Sequence, residues 1–171
     1  DVVFSSTAVG SDDHMGIAFA QKFVEGFDVR TIFSNGDSQK IQEILGGVSD
    51  VIAANVGYMT SFVDSGELKW LTVLNSERYE LIPDVETFEE VTGEENVSFA
   101  GRCFLVANGL AEEKRAVYLQ AIEKVLQNPD YIAQEQAMQN NLMFLVGDEM
   151  NSLIDQTRRY VESVEFWEAN G

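Results

Sequence analysis

The sequence predicts an α/β protein with a largely parallel β-sheet covered by helices. Strand-like runs alternate with helix-like periodicity through the first half of the chain, which is the pattern of consecutive βαβ units. The third of these runs, residues 50–54, is short and apolar after its first residue, as a strand covered on both faces would be. Glycine, asparagine and aspartate stand between the runs, where the chain must turn.

The first half contains four predicted strands, each a short apolar or β-branched run bounded by turn residues. They are residues 2–6, 29–33, 50–54 and 70–74. Helices are predicted between them from capping residues and apolar periodicity, and a third helix is expected at residues 57–63. Ser11 is expected to cap the first helix, and Asp37 or Ser38 to cap the second.

The second half begins with a long connection, because periodicity weakens from residue 75 to residue 98 and only one short helix is indicated there. Beyond it we expect two further strands and three helices. The strands are residues 99–107 and 142–146, and the helices are residues 112–126, a segment after Asn128-Pro129, and residues 148–164.

Composition excludes several classes of protein. With 171 residues, of which 45% are hydrophobic, the chain can form one packed domain or two small lobes. Its 11 Lys and Arg against 29 Asp and Glu give a formal charge of -18, which repels a phosphate backbone, so nucleic acid is not expected as a partner. The single cysteine, Cys103, excludes an intramolecular disulfide and a multi-cysteine metal site.

Several short segments resemble the solute-binding receptors of tripartite tricarboxylate transporters, the TctC or Bug type. Together they extend over almost the whole chain. They are Gly10-Ser11-Asp12-Asp13-His14, Leu45-Gly46-Gly47-Val48-Ser49-Asp50, residues 63–71 (Val-Asp-Ser-Gly-Glu-Leu-Lys-Trp-Leu), Arg78 followed by Ile82-Pro83-Asp84-Val85-Glu86-Thr87, and Leu126-Gln127-Asn128-Pro129. Each segment is weak alone, and their order and spacing make the set specific.

The resemblance implies a periplasmic-binding-protein-like, type II-like three-layer αβα sandwich in an incomplete two-lobed form. Residues 1–76 would form lobe 2, residues 77–98 would cross between lobes, and residues 99–171 would return to lobe 1. Because the chain opens at Asp1 directly on a strand, with no charged leader, we expect a processed product or a fragment. The remainder of lobe 1 would then precede Asp1.

The implied function is capture of a small carboxylate-bearing ligand, without catalysis, for presentation to membrane transporter subunits. The receptor would be periplasmic, or extracellular as a membrane-anchored lipoprotein, and a homodimer formed through the exposed part of lobe 1 is a further expectation. No cofactor is expected. The alternative is a ligand-sensing or interaction module of the same fold that acts in signalling.

The residues that match the family's ligand-contacting positions are Thr7, Gly10, Ser11, Ala54 and Asn55. The residues themselves point the same way, because a turn into a helix N-terminus leaves unpaired N–H groups that favour an anion. Asn55 follows an apolar strand, at the carboxyl end where open α/β sheets bind ligands.

Asp12 and Asp13 in the first turn of that helix would compete with an external anion for its positive end, which favours a ligand with an amino group or a neutral one.

Other chemistry-bearing residues have simpler interpretations. His14 lies in one turn with Ser11 and Asp12-Asp13, whereas a catalytic triad needs groups from separate elements, so His14 is interpreted as a surface residue of a first helical turn. Cys103 is expected to be a small buried hydrophobe, and the tryptophans and phenylalanines to be core. Arg78 is expected to pair with a nearby acid rather than with ligand. No catalytic residue and no metal site is predicted.

Overall fold

The computed structural model describes residues 1–140, 142–165 and 167. The chain forms two compact units. One comprises residues 1–100 together with the residues from 156 onward, and the other comprises residues 101–155.

The elements alternate in the first unit and are helical in the second. The strands are β1 (Val2–Ser6), β2 (Val29–Phe33) and β3 (Val51–Ile52). The helices are α1 (Asp12–Phe23), α2 (Asp37–Leu45), α3 (Val56–Asp64), α4 (Phe88–Thr92), α5 (Glu112–Leu126), α6 (Pro129–Ala137) and α7 (Asp148–Val164).

The sheet is parallel, with the order β2-β1-β3, so β1 is the central strand. Val2 stands opposite Val29 and Ser6 opposite Phe33, while Phe4 stands opposite Val51 on the other side. Each strand is followed by a helix, as right-handed βαβ connections require. The carboxyl ends of all three strands therefore lie at one edge of the sheet.

The core of the first unit lies around β1 and α1. Its buried apolar residues are Phe4, Met15, Ala20, Met59, Phe88 and Val164. Several polar residues are buried with them, and over the described part of the chain all of these side chains except that of Ser49 have hydrogen-bond partners.

Asn96 fastens the long connection to α1 and α7. Its side chain is 1% exposed, its amide Nδ2 donates to the Gly16 carbonyl at 2.8 Å, and its Oδ1 accepts from the Tyr160 hydroxyl at 2.8 Å. Burial raises the pKa of the Tyr160 phenol, so the hydroxyl keeps the proton that it donates. The Tyr160 ring also stacks on Phe19, with ring centroids 5.6 Å apart. The end of α7 is thereby joined to the first unit.

Most predicted elements are confirmed. Strands at residues 2–6 and 29–33 have the predicted bounds, Ser11 is the N-cap of α1, and the connection carries one short helix, α4. In the second half α5 and α7 have the predicted bounds, and the helix expected after Asn128-Pro129 is formed as α6, which begins at Pro129. In α6 the Asn128 side chain accepts from the N–H groups of Asp130 and Tyr131.

Three predicted strands are wrong. Residues 70–74 make a single bridge, Val73 to Thr87, because the segment lies beside residues 86–88 instead of joining the sheet. Residues 99–107 and 142–146 form no strand either. The strand predicted at residues 50–54 is formed only at Val51–Ile52. In each case apolar composition was right for a strand, but the pairing that defines one depends on distant residues.

The N-cap of the second helix lies one residue before Asp37 and two before Ser38, the two predicted caps. Gly36 is the N-cap of α2, with φ of 89°, and it makes no side-chain capping bond. A residue at this φ is favourable only as glycine, so the Asn35-Gly36 turn, not Asp37 or Ser38, sets the start of the helix.

Several residues expected inside are exposed. Cys103 is exposed, Trp167 is 49% exposed, and Phe104 and Leu105 are 81% and 89% exposed. All but Trp167 belong to the stretch of residues 99–107 that pairs with no strand. Conversely, His14 is buried, although it was expected at the surface. Within the described residues α5 and α6 bury none of their side chains.

None of the helices, over the residues described, combines the length and apolar character needed to cross a membrane.

We predict that Asn96→Ala lowers the free energy of unfolding by about 2 kcal/mol, because it removes the partner of a buried phenol. Tyr160→Phe should lower it as well, and the double variant should lose less than the sum of the two, since both remove the same hydrogen bond. Urea unfolding followed by circular dichroism measures the three values. The exposed Asn35→Ala is the matched control, and strict additivity of the pair would contradict the coupling.

Candidate functional site

The carboxyl edge of the sheet places two of the predicted binding segments next to each other. In a sheet of order β2-β1-β3, the chain passes from β1 to β2 on one side and then returns past β1 to reach β3 on the other side. The direction of the strand order therefore reverses between β1 and β3, and these two strands flank the topological switch point. Ligands of open α/β sheets bind in the crevice at such a point. The loop of residues 7–11 follows β1, and Ala54 and Asn55 follow β3.

Local sequence gives the loop its shape. Gly10 has φ of 79°, which allows the chain to reverse into α1, and Ser11 is extended, with φ of −68° and ψ of 165°, as an N-cap must be. The Ser11 hydroxyl accepts from the N–H of His14. The loop is therefore held at the N-terminus of α1 by its own residues.

The Asp13 carboxylate organises this loop from inside. Its Oδ2 accepts the Thr7 N–H and the Thr7 hydroxyl, each at 2.8 Å, and its Oδ1 accepts the N–H of His14 at 3.0 Å and contacts the Ser11 hydroxyl. Burial opposes ionisation of Asp13, but the hydrogen bonds from Lys40, Ser11 and Thr7 outweigh it and lower the pKa of Asp13 to about 2. Asp13 is therefore a charged residue in the interior, with 6% of its surface exposed.

Lys40 on α2 is the counter-ion, and sequence reasoning missed it. It is 1% exposed, and its Nζ lies 2.8 Å from Asp13 Oδ2, from Asp37 Oδ1 and from the Ala53 carbonyl oxygen. Burial alone would lower the pKa of Lys40, but the bonds to Asp13 and Asp37 raise it, so the ammonium stays charged. The Ala53 contact connects the loop after β1 to the end of β3.

A signal for Lys40 was present in the sequence. It precedes Ile41 and lies four residues before Ile44, which places it beside the apolar face of α2. From sequence, a lysine at such a position is most simply interpreted as a surface residue whose charged end extends into solvent. The pairing of Lys40 becomes evident only when the structure places Asp13, on another helix, beside it.

His14 completes the loop. Its Nδ1 accepts the Gly10 N–H at 3.0 Å, and its ring meets the edge of Phe33 with centroids 5.2 Å apart. Burial lowers the pKa of His14, while the nearby Asp13 charge opposes this. The imidazole is therefore neutral near pH 7, with its unprotonated Nδ1 holding Gly10.

The five predicted binding residues fall into two groups. Thr7, Gly10 and Ser11 belong to one network around Asp13 and His14. Ala54 is half-buried and Asn55 is exposed, and Lys40 reaches this second group only through the Ala53 carbonyl. Asn55 is the N-cap of α3, where its side chain makes no capping bond.

A second polar cluster lies behind the sheet edge and was also missed. The buried Ser5 and Ser34 hydroxyls lie 2.7 Å apart, and both donate to Glu43 Oε2. The bond from Ser34 and then that from Ser5 lower the pKa of Glu43. This cluster connects β1, the residue after β2, and α2, so it braces the helix that carries Lys40.

Arg78 pairs with an acid, as predicted. Its Nε lies 3.0 Å and 2.9 Å from the two carboxylate oxygens of Glu90, and Glu90 also closes the capping box of α4. Across the described part of the chain, no three His, Cys, Asp or Glu side chains are grouped closely enough to hold a metal ion.

We predict that acid loosens the loop through His14, the single histidine of the sequence. Because the folded pKa of His14 lies below the ordinary 6.5, the unfolded chain takes up the proton first. The stabilising contribution is thus complete above pH 6.5 and is lost as pH falls toward the folded pKa.

His14→Gln, whose carbonyl oxygen can still accept from Gly10, should show a flatter decline in free energy of unfolding between pH 8 and pH 5.5. Urea titrations at intervals of pH measure both slopes. Equal slopes for the variant and the natural chain would contradict this role of His14.

Two binding proteins are among the solved structures that share the fold of this chain. One is a TctC solute-binding protein from Polaromonas, solved without ligand, with a TM-score of 0.76 and 18% sequence identity, covering 96% of this chain and 56% of that one. The other is the periplasmic binding protein BugD, with a TM-score of 0.68 and 16% identity, covering 98% of this chain and 56% of that one. The predicted periplasmic-binding-protein-like fold is thereby confirmed, and the chain spans a little over half the length of each structure.

No curated protein matches the chain in sequence. The family profile described as tripartite tricarboxylate transporter family receptor, TctC, matches residues 1–162 of the 171. That match includes the whole sheet, the loop around Asp13, and all but the last two residues of α7. The chain belongs to the tripartite tricarboxylate transporter receptor family.

Proposed function

We propose that this chain is an extracytoplasmic solute-binding receptor that captures a small carboxylate-bearing ligand for a tripartite tricarboxylate-type transporter. The observation that carries the proposal is the position of the two candidate segments. In a chain of a receptor family, the loop after β1 and the end of β3 flank the switch point of a parallel sheet.

The start of α3 suits a carboxylate better than the start of α1. The first turn of α3 contains no acidic residue, and Asn55 leaves its N–H groups without a side-chain cap. The first turn of α1 contains Asp12 and Asp13, and its cap is filled by Ser11. An anion is attracted to an uncapped helix N-terminus and repelled from one that already carries negative charge.

The residues proposed to contact ligand are Thr7, Gly10, Ser11, Ala54 and Asn55. Asn55 supplies an exposed amide that can donate to a carboxylate oxygen, and it stands beside the positive end of α3. Binding would be reversible and would involve no bond making or breaking.

The partners and location follow from the same proposal. The ligand would be passed to membrane transporter subunits outside the cytoplasm, whether the receptor is free in a periplasm or anchored by lipid. Residues 1–76 would be the lobe that carries the site, residues 77–98 the crossing segment, and residues 99–171 part of the other lobe. A homodimer through the exposed apolar part of that other lobe belongs to the same proposal.

We predict that one class of small carboxylates stabilises the chain in a saturable way. Differential scanning calorimetry against di- and tricarboxylates, amino acids and aromatic acids should show a melting temperature that rises with ligand concentration by mass action. Asn55→Ala should weaken the affinity about tenfold, the effect of one lost hydrogen bond to a charged group.

Asn35→Ala is the matched control, because Asn35 is exposed and follows β2, away from the switch point. Equal weakening by both variants would place the ligand elsewhere. The absence of saturable stabilisation by every class would contradict ligand capture by this chain.

A further inference from the structure

The Asp13 carboxylate has no acceptor capacity left for a ligand. It is contacted by the Thr7 N–H, the Thr7 hydroxyl, the His14 N–H, the Ser11 hydroxyl and the Lys40 ammonium. A carboxylate offers about four lone-pair sites. The Ser11 hydroxyl has one proton to share between Asp13 and the Ala8 carbonyl, which lies 2.7 Å away. The donors of the loop are thus engaged from inside.

The Lys40 ammonium is equally saturated. An ammonium has three N–H groups, and Lys40 has three partners at 2.8 Å: Asp13, Asp37 and the Ala53 carbonyl. One positive charge therefore faces two carboxylates, and His14 adds none because it is neutral. With Asp12 exposed at the same turn, the loop presents no net positive charge to a ligand.

The Asp13 carboxylate has the surroundings that a bound anion would have at a helix N-terminus. Backbone N–H groups, two hydroxyls and a cation converge on one carboxylate, and that carboxylate belongs to the protein. The anion position at the start of α1 is therefore filled by the chain itself. At the start of α3, the first turn contains no acidic residue and the N-cap Asn55 makes no side-chain capping bond.

We propose that Asp13 is a built-in anion, held by Lys40, which occupies the place at the start of α1 that a ligand carboxylate would otherwise take. Resting on the proposed function, this narrows the ligand to a small monocarboxylate. Its carboxylate lies at the start of α3, and its other end, near the loop of residues 7–11, is neutral and polar or is cationic. Lys40 is a positioning residue, since it acts on the loop through Asp13.

The first experiment replaces the built-in anion with an external one. Asp13→Ala removes the carboxylate and leaves its donors in place, so sodium formate should raise the melting temperature of this variant saturably above its value in sodium chloride of equal ionic strength. The natural chain should respond less to formate than this variant does, because only the start of α3 is open to an external carboxylate there. In Asp13→Ala/Lys40→Met the formate effect should fall to that of the natural chain. A formate response absent from Asp13→Ala, or equal in the natural chain, would overturn the proposal.

A second variant covers the case in which Asp13→Ala does not fold. Lys40→Met keeps the length of the side chain and removes only the counter-ion, so the carboxyl pKa of Asp13, followed by carbon NMR, should rise from about 2 toward the ordinary 3.8 or above. A pKa that stays near 2 would show that Lys40 does not hold the anion.

The second experiment tests the ligand class on the whole chain with three probes of equal length. Succinate carries two carboxylates, succinamate replaces one with a neutral amide, and 4-aminobutyrate replaces one with a protonated aminomethyl group. Isothermal titration should give at least tenfold tighter binding for succinamate or 4-aminobutyrate than for succinate, and Asp13→Asn should reduce that preference. Tightest binding of succinate would overturn the inference about the ligand. Binding of none of the three would contradict the proposed function instead, and the formate comparison would still decide the role of Asp13.

Discussion

The buried ion pair between Lys40 and Asp13 is the interaction on which the arrangement of this sheet edge depends. Two charges in a protein interior are stable only when both are fully hydrogen-bonded, and here each is. The pair draws together a loop, a helix and a strand end that are far apart in sequence. Removal of Lys40 leaves the buried Asp13 without its counter-ion, and removal of Asp13 leaves Lys40 with Asp37 as its one remaining carboxylate partner within the described residues, so the geometry is maintained as a unit. The Ser5, Ser34 and Glu43 cluster supports it by fixing α2 against β1.

Local signals predicted the helices and the first two strands well. Ser11, Asn128 and the Thr87 capping box each satisfy N–H groups that sit close by in sequence, so their effect is readable from a few residues. The strands predicted at residues 70–74, 99–107 and 142–146 failed for the opposite reason. A strand forms only if another strand pairs with it, and the sequence of an apolar segment does not tell which distant residues will pair with it.

The sequence predicted where the candidate residues lie in the fold but not which side chains they contact. The Gly10-Ser11 turn and Asn55 were expected at the carboxyl ends of strands and lie there, because turns and strand ends are local features. Lys40 could not be assigned, since a charged residue on a helix is usually solvated and its partner lies 27 positions away. His14 was placed on the wrong side of α1 because the first turn of a helix has no full apolar stripe to fix its orientation. The sequence predicted that Asp13 would compete with an external anion for the positive end of α1. The five contacts of its carboxylate are the kind that such an anion would make.

The exposed apolar stretch of residues 99–107 has a consequence for the behaviour of the chain in solution. Phe104 and Leu105 present nearly their whole side chains to water, in a molecule whose formal charge is -18. Like charge on every copy opposes close approach, so charge repulsion weakens the association of these apolar surfaces that a homodimer would use. Salt shortens the range of that repulsion to about 8 Å at physiological ionic strength. Acidification neutralises the carboxylates and so removes the repulsion, and residues 99–107 of different copies can then associate through their apolar side chains. The strength with which copies of the chain associate through this stretch should therefore depend on pH and salt.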